Sequence, residues 1–159
     1  MDITHFPRQF KPSPQLMKNL LLLVVIGAGV SVIGIFFVPA RAFANLLLAG
    51  YYLLGMGVAS AVFIALMSVT NAGWSTAIRR VPEAILSTIP IGGAIILLVM
   101  IGIHSLYEWS HADVVAQNTV LQAKTAWLNV PFFVLRTIFF IGLWLIYARY
   151  VSKLSRKQD

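Results

Sequence analysis

The stretch FANLLLAGYYLLGMGVASAVFIALMSV, residues 43–69, contains no charged residue and is long enough to cross a lipid bilayer. The hydrocarbon core of a bilayer requires about 20 apolar residues in helical conformation. Within this stretch Gly57, Ala61 and Ala65 recur every fourth residue, so they share one face of the helix. Small residues on one face allow two helix backbones to approach closely inside a membrane. The stretch therefore predicts a transmembrane helix that packs tightly against a neighbour.

Three other apolar runs flank this helix, at about 19–38, 82–104 and 130–150. The chain of 159 residues is 59% hydrophobic and 11% charged, whereas soluble domains contain about 25% charged residues. These proportions require a solvent that is partly lipid. We predict an all-α integral membrane protein in which residues 19–150 form a four-transmembrane-helix bundle.

Small residues also recur in the first and third runs, which predicts close packing of all four helices. They are Gly27, Ser31 and Gly34 in the first run, and Gly92, Gly93 and Ala94 in the third. Pro90 lies inside the third run and lacks the N–H that would bond to the carbonyl of Leu86. We expect a kink there, with Ser87 or Thr88 satisfying nearby backbone groups.

The first run has the flanks of a secretory signal peptide, since basic residues precede it and the A-x-A pattern ARAFA follows at residues 40–44. The hydrophobic region of a signal peptide, however, is about 7–15 residues long. The run at 19–38 is longer than that, and the sequence begins with Met1. We therefore expect a retained helix.

The distribution of basic residues predicts the orientation, because lysine and arginine collect on the cytoplasmic side of a membrane protein. Nine of them belong to one side: Arg8, Lys11, Lys18, Arg79, Arg80, Arg149, Lys153, Arg156 and Lys157. Three belong to the other: Arg41, Lys124 and Arg136. Both termini are predicted to be cytoplasmic, as an N-terminal tail of residues 1–18 and a basic tail of residues 151–159.

Composition also excludes several classes of function. The net charge of +7 fits topology and anionic lipid headgroups rather than nucleic acid, because the basic residues flank the apolar runs. With no cysteine, the sequence holds no disulfide, thiolate metal site or c-type haem attachment. Of the three histidines, only His104 lies on a predicted helix, so a haem b held by two histidines is not expected.

The segment NAGWSTAIRRVPEAI, residues 71–85, is the most polar stretch between two spans. Glu83 follows Arg79 by four residues and Arg80 by three, a spacing at which helical side chains form ion pairs. Ionisable residues near a membrane also mark proton routes. Two interpretations therefore stand: a local ion pair, or a proton entry at Glu83 with Tyr51 and Tyr52 further along the path.

Arg136 is the most costly polar residue, because it lies six residues after Val130 inside the fourth run, about 9 Å along a helix axis. Its side chain has two favourable placements. It can extend to the outer interface, or it can pair with Glu108, Asp113 or a partner subunit. Either placement keeps the charge out of the hydrocarbon.

A second hypothesis assigns Arg136 to a quinone site together with His104 and Tyr107. A quinone headgroup needs an aromatic wall and one or two hydrogen-bond donors at membrane depth. The alternative for the aromatic residues is an interfacial belt, which also accounts for Trp109 and Trp127.

Three segments of the sequence resemble a known family. They are NAGWSTAIRRVPEAI (71–85), LYEWSHADVV (106–115) and KTAWLNVPFFVLRTIFFIGLWLIYARY (124–150). They are similar to the ActF membrane subunits of bacterial alternative complex III, which are NrfD/PsrC-like. The resemblance covers about residues 43–157, one four-helix half of the length usual in that family. The matching motif positions are Trp74, Arg79, Arg80, Glu83, Trp127, Asn129, Pro131 and Arg136.

The resemblance implies a multi-pass subunit in a bacterial inner membrane, inside a quinol:electron-acceptor oxidoreductase of respiratory or photosynthetic electron transport. Its implied partners are a multihaem cytochrome c, an iron–sulfur protein and a second NrfD-like subunit that oxidises quinol. The c-type haems and iron–sulfur clusters would belong to those partners, and this chain would bind at most quinone or menaquinone. It would anchor the redox arm, without catalysis of its own, and contribute to a quinone pocket or a proton path.

Two other classes of function remain. One is a small transporter or channel subunit, although no inverted repeat relates the first two runs to the last two. The other is a structural membrane scaffold, in which topology accounts for every polar group.

Overall fold

The computed structural model describes residues 12–70, 74 and 78–156, with side chains described as far as residue 153. Within these ranges every regular element is helical, which confirms the predicted all-α class. The outer parts of the two predicted tails, residues 1–11 and 157–159, lie outside the described residues. So does most of the polar segment at 71–77.

The chain forms long helices joined by short connections. They are α1 (Pro14–Phe37), α2 (Pro39–Val69), α3 (Arg80–Leu86), α4 (Thr88–Val99), a 3-10 turn (Met100–Gly102), α5 (Ile103–Leu106), a second 3-10 turn (Glu108–Ser110), α6 (Ala112–Gln117), α7 (Thr119–Ala123) and α8 (Val130–Arg156). Elements α3 to α5 make one continuous stretch, called here the third span.

Four stretches of the described chain are able to cross a membrane by length and composition. They are Pro14–Phe37, Pro39–Val69, Arg80–Leu106 and Val130–Lys153. This finding supports a multi-pass membrane protein.

Two prolines set the starts of the first two helices, because proline fits the first helical position, where no N–H bond is needed. Helix α1 begins at Pro14, and the Ser13 hydroxyl accepts a hydrogen bond of 3.2 Å from the Leu16 amide. Helix α2 begins at Pro39, four residues before the predicted start, since Val38 alone separates it from α1.

Helix α2 and the third span run antiparallel in close contact. A Cβ atom added to Gly102 would meet the ring of Phe43, near the start of α2, and one added to Gly57 would meet the side chain of Ile89. Phe43 and Gly57 are two heptads apart on α2 and both are buried. A seven-residue spacing keeps one face turned towards an antiparallel neighbour.

The closest backbone approach is at Gly92. A Cβ atom there would lie 2.5 Å from the Leu54 amide nitrogen and 2.9 Å from the Gly50 carbonyl oxygen. Only glycine fits, because the atoms in the way belong to the backbone of α2 and cannot rotate aside. The predicted packing role of Gly57 and Gly92 is confirmed. Ala94, predicted to pack with them, is exposed.

The third span is interrupted at Ser87, between α3 and α4, three residues before Pro90. The Ser87 hydroxyl donates a hydrogen bond of 2.6 Å to the carbonyl of Ala84. The Thr88 hydroxyl lies 2.9 Å from the Leu53 carbonyl of α2. The predicted distortion near Pro90, with hydroxyls satisfying nearby backbone groups, is therefore present.

Helix α8 packs against α2 and the third span at two positions along its length. A Cβ atom on Gly93 would lie 2.8 Å from the Ile141 side chain. Further along, the Tyr147 hydroxyl donates a hydrogen bond of 3.2 Å to the carbonyl of Ala61. The core therefore consists of α2, the third span and α8.

Helix α1 stands apart from that core, and the predicted packing through its small residues holds only beside Val38. Every residue from 14 to 30 is exposed, and a Cβ atom on Gly27 would meet nothing within 4 Å. A Cβ atom on Gly34 would lie 3.2 Å from that of Ala42, next to the junction. Within the described chain, three spans pack together and the first is peripheral.

Candidate functional site

The guanidinium of Arg136, on α8, lies among three aromatic rings. Its central carbon is 4.6 Å from the ring centroid of Trp127 and 5.5 Å from those of Phe132 and Phe133. A cation over an aromatic face is stabilised by about 0.5–2 kcal/mol, more where water is excluded. We call these three residues the aromatic cage.

The local sequence explains how the cage forms. Phe132 and Phe133 precede Arg136 by four and three residues, so they lie beside it on the same helix. Asn129 caps α8, because its side-chain oxygen accepts a hydrogen bond of 2.9 Å from the Phe132 amide. The cap fixes the turn that brings Trp127 back over the guanidinium. The motif residues Trp127, Asn129 and Pro131 therefore all lie in the first turn of α8 or just before it.

One nitrogen of Arg136 has no acceptor. Its Nη1 atom is buried and makes no hydrogen bond with any described residue. A buried donor on a charged group without a partner costs several kcal/mol. Within the described chain no ion pair joins Arg136 to Glu108 or Asp113, so neither carboxylate neutralises it here. The contact with Trp127 places the guanidinium beside the segment that precedes α8, and its depth relative to the membrane interface stays a prediction.

Arg136 also lines a cleft of about 210 Å³ between α8, α2 and α4. The other lining residues are Leu54, Ile96, Thr137, Phe140, Ile141 and Trp144. The hydroxyl of Thr137 bonds at 2.8 Å to the carbonyl of Phe133 in its own helix. Arg136 is therefore the charged group of an otherwise apolar and aromatic cleft.

Tyr107 is linked to Arg136 by contacts between aromatic rings. Its ring centroid lies 5.5 Å from that of Phe133 and 5.2 Å from that of Trp109. Trp109 and Phe133 are themselves 5.1 Å apart. Since Phe133 also contacts Arg136, the structure brings Tyr107 and Arg136 to one aromatic cluster.

His104, the third residue of the predicted quinone site, takes a different position. It is exposed, and its ring centroid lies 5.6 Å from that of His111. The Nε2 atom of His111 is 2.9 Å from the backbone oxygen of His104. His104 thus pairs with the loop histidine instead of facing the cleft.

Glu83 lies at the opposite end of the packed spans and forms the predicted ion pairs. Its carboxylate is 3.0 Å from Nε of Arg79 and 3.4 Å from Nη1 of Arg80. The Glu83 side chain is 12% exposed. The structural interpretation of this segment is confirmed, and proton entry at Glu83 stays a prediction.

A second, larger cleft of about 590 Å³ opens between the third span and α8 beside Glu83. Its remaining lining residues are Leu86, Ser87, Pro90, Leu145, Ala148, Arg149, Ser152 and Lys153. We call it the Glu83 cleft. No local sequence pattern predicts this cleft, because Glu83 and Lys153 are seventy residues apart in the chain.

The remaining predicted residues are dispersed. Tyr51 and Tyr52 are 71% and 65% exposed on the outer surface of α2, and neither lines the Glu83 cleft. Trp74 is also 65% exposed, and its neighbours at 71–73 and 75–77 lie outside the described residues. The structure does not assemble a continuous polar path from these side chains.

No family model matches the chain, and a search of curated proteins finds no significant match. The features that indicate a function are therefore the two clefts and the segments that carry the resemblance.

Proposed function

We propose that this chain is a non-catalytic membrane subunit of a bacterial quinol:electron-acceptor oxidoreductase of the alternative complex III type, and that Arg136 faces its quinone. The observation that carries this proposal is the buried Nη1 of Arg136, which has no acceptor. A quinone carbonyl oxygen would be such an acceptor once the Arg136 side chain turns Nη1 towards the cleft that it lines, and it needs no charged partner in the membrane.

The surroundings of Arg136 also suit a quinone ring. A dry apolar cavity of about 150 Å³ accommodates benzene, and the Arg136 cleft measures about 210 Å³. Its walls include Phe140 and Trp144, so a planar ring would find aromatic faces beside the single strong donor. A long isoprenoid tail would leave through the open side towards lipid.

The electron-transfer centres belong, in this proposal, to partner subunits. The sequence contains no cysteine, so c-type haem and cysteine-ligated clusters are expected in a multihaem cytochrome c and an iron–sulfur protein. A second NrfD-like subunit would oxidise the quinol. This chain would anchor the redox arm and complete the quinone environment.

The proposed topology places both termini in the cytoplasm of a bacterial inner-membrane protein. Arg79, Arg80, Arg149 and Lys153 then lie at the cytoplasmic end. Glu83 would face the proton source there. Tyr51 and Tyr52 lie on the exposed surface of α2, so they would extend a proton path only at a contact with a partner subunit.

Purification from native membranes in mild detergent tests membership of the complex. We expect the chain to copurify with a c-type haem spectrum, an iron–sulfur protein and a second polytopic subunit. A haem-free homo-oligomer that moves ions or solutes when reconstituted would contradict the proposal and favour the transporter alternative.

Arg136→Gln tests the quinone role in the assembled complex. Loss of a charge-assisted hydrogen bond of about 1.5–3 kcal/mol should raise the KM for quinol about tenfold to a hundredfold. Arg136→Lys keeps the charge but loses the planar donor, so an intermediate effect is expected. The control is Arg41→Gln, which removes an exposed arginine elsewhere. Unchanged kinetics in an Arg136→Gln complex that still assembles would favour the scaffold alternative.

A further inference from the structure

The Glu83 cleft combines a charged rim with an apolar wall. At the rim, Arg149 and Lys153 lie one helical turn apart on the same face of α8. Both are exposed, and neither forms an ion pair with a described residue. Ser152 lies between them in sequence and also lines the cleft. Two cations and a hydroxyl at this spacing suit the oxygens of one phosphate group.

The carboxylate in the same cleft does not cancel this preference. Glu83 is already paired with Arg79 at 3.0 Å and with Arg80 at 3.4 Å. Arg149, Lys153 and Glu83 give the lining of the cleft a net charge of +1, and Arg79 and Arg80 add two positive charges beside Glu83. An anion is therefore attracted to the side of the cleft formed by α8, which carries Arg149. Glu83, already ion-paired, lies on the other side, which the third span forms.

The apolar wall distinguishes a lipid from a soluble anion. Leu86, Pro90, Leu145 and Ala148 line the cleft beneath the charged rim. The third span begins nearby at Arg80, and Arg149 and Lys153 lie in the last part of α8, where basic residues mark the interfacial end of a spanning helix. A cleft at the end of two spans, with cations outside and hydrocarbon inside, matches the layered chemistry of a phospholipid at the membrane interface.

We propose that the Glu83 cleft is a binding site for an anionic phospholipid. Its phosphate would lie against Arg149, Lys153 and Ser152, and the upper part of its acyl chains would cover Pro90 and Leu145. The volume of about 590 Å³ accommodates a headgroup together with the first part of a chain. This site is independent of the quinone proposal, because it lies at the other end of the spans and uses different residues.

The test is a titration of the delipidated full-length chain in neutral detergent. The probes are dioleoylphosphatidylglycerol, dioleoylphosphatidylcholine and inorganic phosphate. Native mass spectrometry counts the lipids bound. The test variant is Arg149→Gln with Lys153→Gln. The matched control is Arg41→Gln with Lys124→Gln, which removes the same charge from exposed positions outside the cleft.

We expect phosphatidylglycerol to bind the test variant about thirtyfold more weakly than the wild type, the combined effect of two basic groups at an anionic interface. The control should bind normally, and inorganic phosphate should not displace the lipid. A swap of Arg149→Lys with Lys153→Arg should retain binding, and unfolding midpoints verify that all variants fold. Equal losses in test and control variants, equal binding of phosphatidylcholine, or displacement by inorganic phosphate would each overturn the proposal.

Discussion

Helices α1 and α2 carry similar glycine-containing runs, yet they behave differently in the fold. On α2 the glycines meet the third span so closely that a Cβ atom on Gly92 would collide with the backbone beside Leu54. On α1 the space around Gly27 is open, and residues 14–30 are all exposed. A small residue permits close approach, but a partner of complementary shape is needed before it produces contact.

Lipid explains why the two helices can differ. Acyl chains solvate leucine and valine as well as another helix does, so an apolar helix gains little merely by leaving lipid. Helix α2 gains packing because Phe43, Gly50 and Gly57 repeat every seven residues on one face and match Gly102, Gly92 and Ile89 of the third span. Before residue 31, α1 has no matching surface in the described chain. Four substitutions test this contrast.

The largest effect is expected for Gly92→Ala. The added Cβ atom would lie 2.5 Å from the Leu54 nitrogen, so α2 and the third span must separate. We expect a loss of about 3 kcal/mol in the free energy of unfolding, at the upper end for overpacking. Titration with SDS in mixed micelles, followed by circular dichroism, measures it. A smaller loss of unfolding free energy than Gly34→Ala causes would contradict the contrast between α2 and α1.

Tyr147→Phe should have the next largest effect. It removes the hydrogen bond of 3.2 Å from the Tyr147 hydroxyl to the Ala61 carbonyl, which fastens α8 to the packed pair. Such bonds inside membranes contribute about 0.6 kcal/mol on average and up to about 1.7 kcal/mol. The same SDS titration should show a loss of about 1 kcal/mol. Tyr150→Phe, on an exposed tyrosine of the same helix, is the control and should show none.

Gly34→Ala tests the junction at which α1 meets α2. The new Cβ atom would lie 3.2 Å from that of Ala42, a tight contact that a small shift relieves. The gain in helix propensity from alanine offsets part of the strain. We expect the thermal midpoint in detergent to fall by no more than a few degrees. A loss as large as that of Gly92→Ala would mean that α1 is anchored more firmly than its exposure indicates.

The smallest effect is expected for Gly27→Ala in the isolated chain. No atom lies within 4 Å of the added methyl group, and alanine favours a helix by about 0.5–1 kcal/mol over glycine. The thermal midpoint should stay unchanged or rise slightly. If the chain copurifies with the proposed subunits, the same substitution in that preparation tests α1 separately: loss of the copurifying subunits would identify this face as a partner contact.

Much of the Arg136 region was predictable because its contacts are local. The spacing of Phe132 and Phe133 from Arg136 places both rings beside the guanidinium on any helix, and Asn129 before Pro131 signals a helix start. Trp127 required the structure, since the turn at 124–129 determines where its ring lies. The exposed position of His104 also required it, because the chain unwinds after Leu106 and brings His111 back against it.

Four apolar helices, the interruption near Pro90 and the ion pairs of Glu83 were all predictable from the amino-acid sequence. Each follows from residues within about one helical turn of one another, where backbone geometry fixes the distance. The peripheral position of α1, and the cleft that Arg149 and Lys153 share with Glu83, depend on how the helices pack in three dimensions. Those relations join residues far apart in the chain, and shape complementarity between whole helix faces selects them.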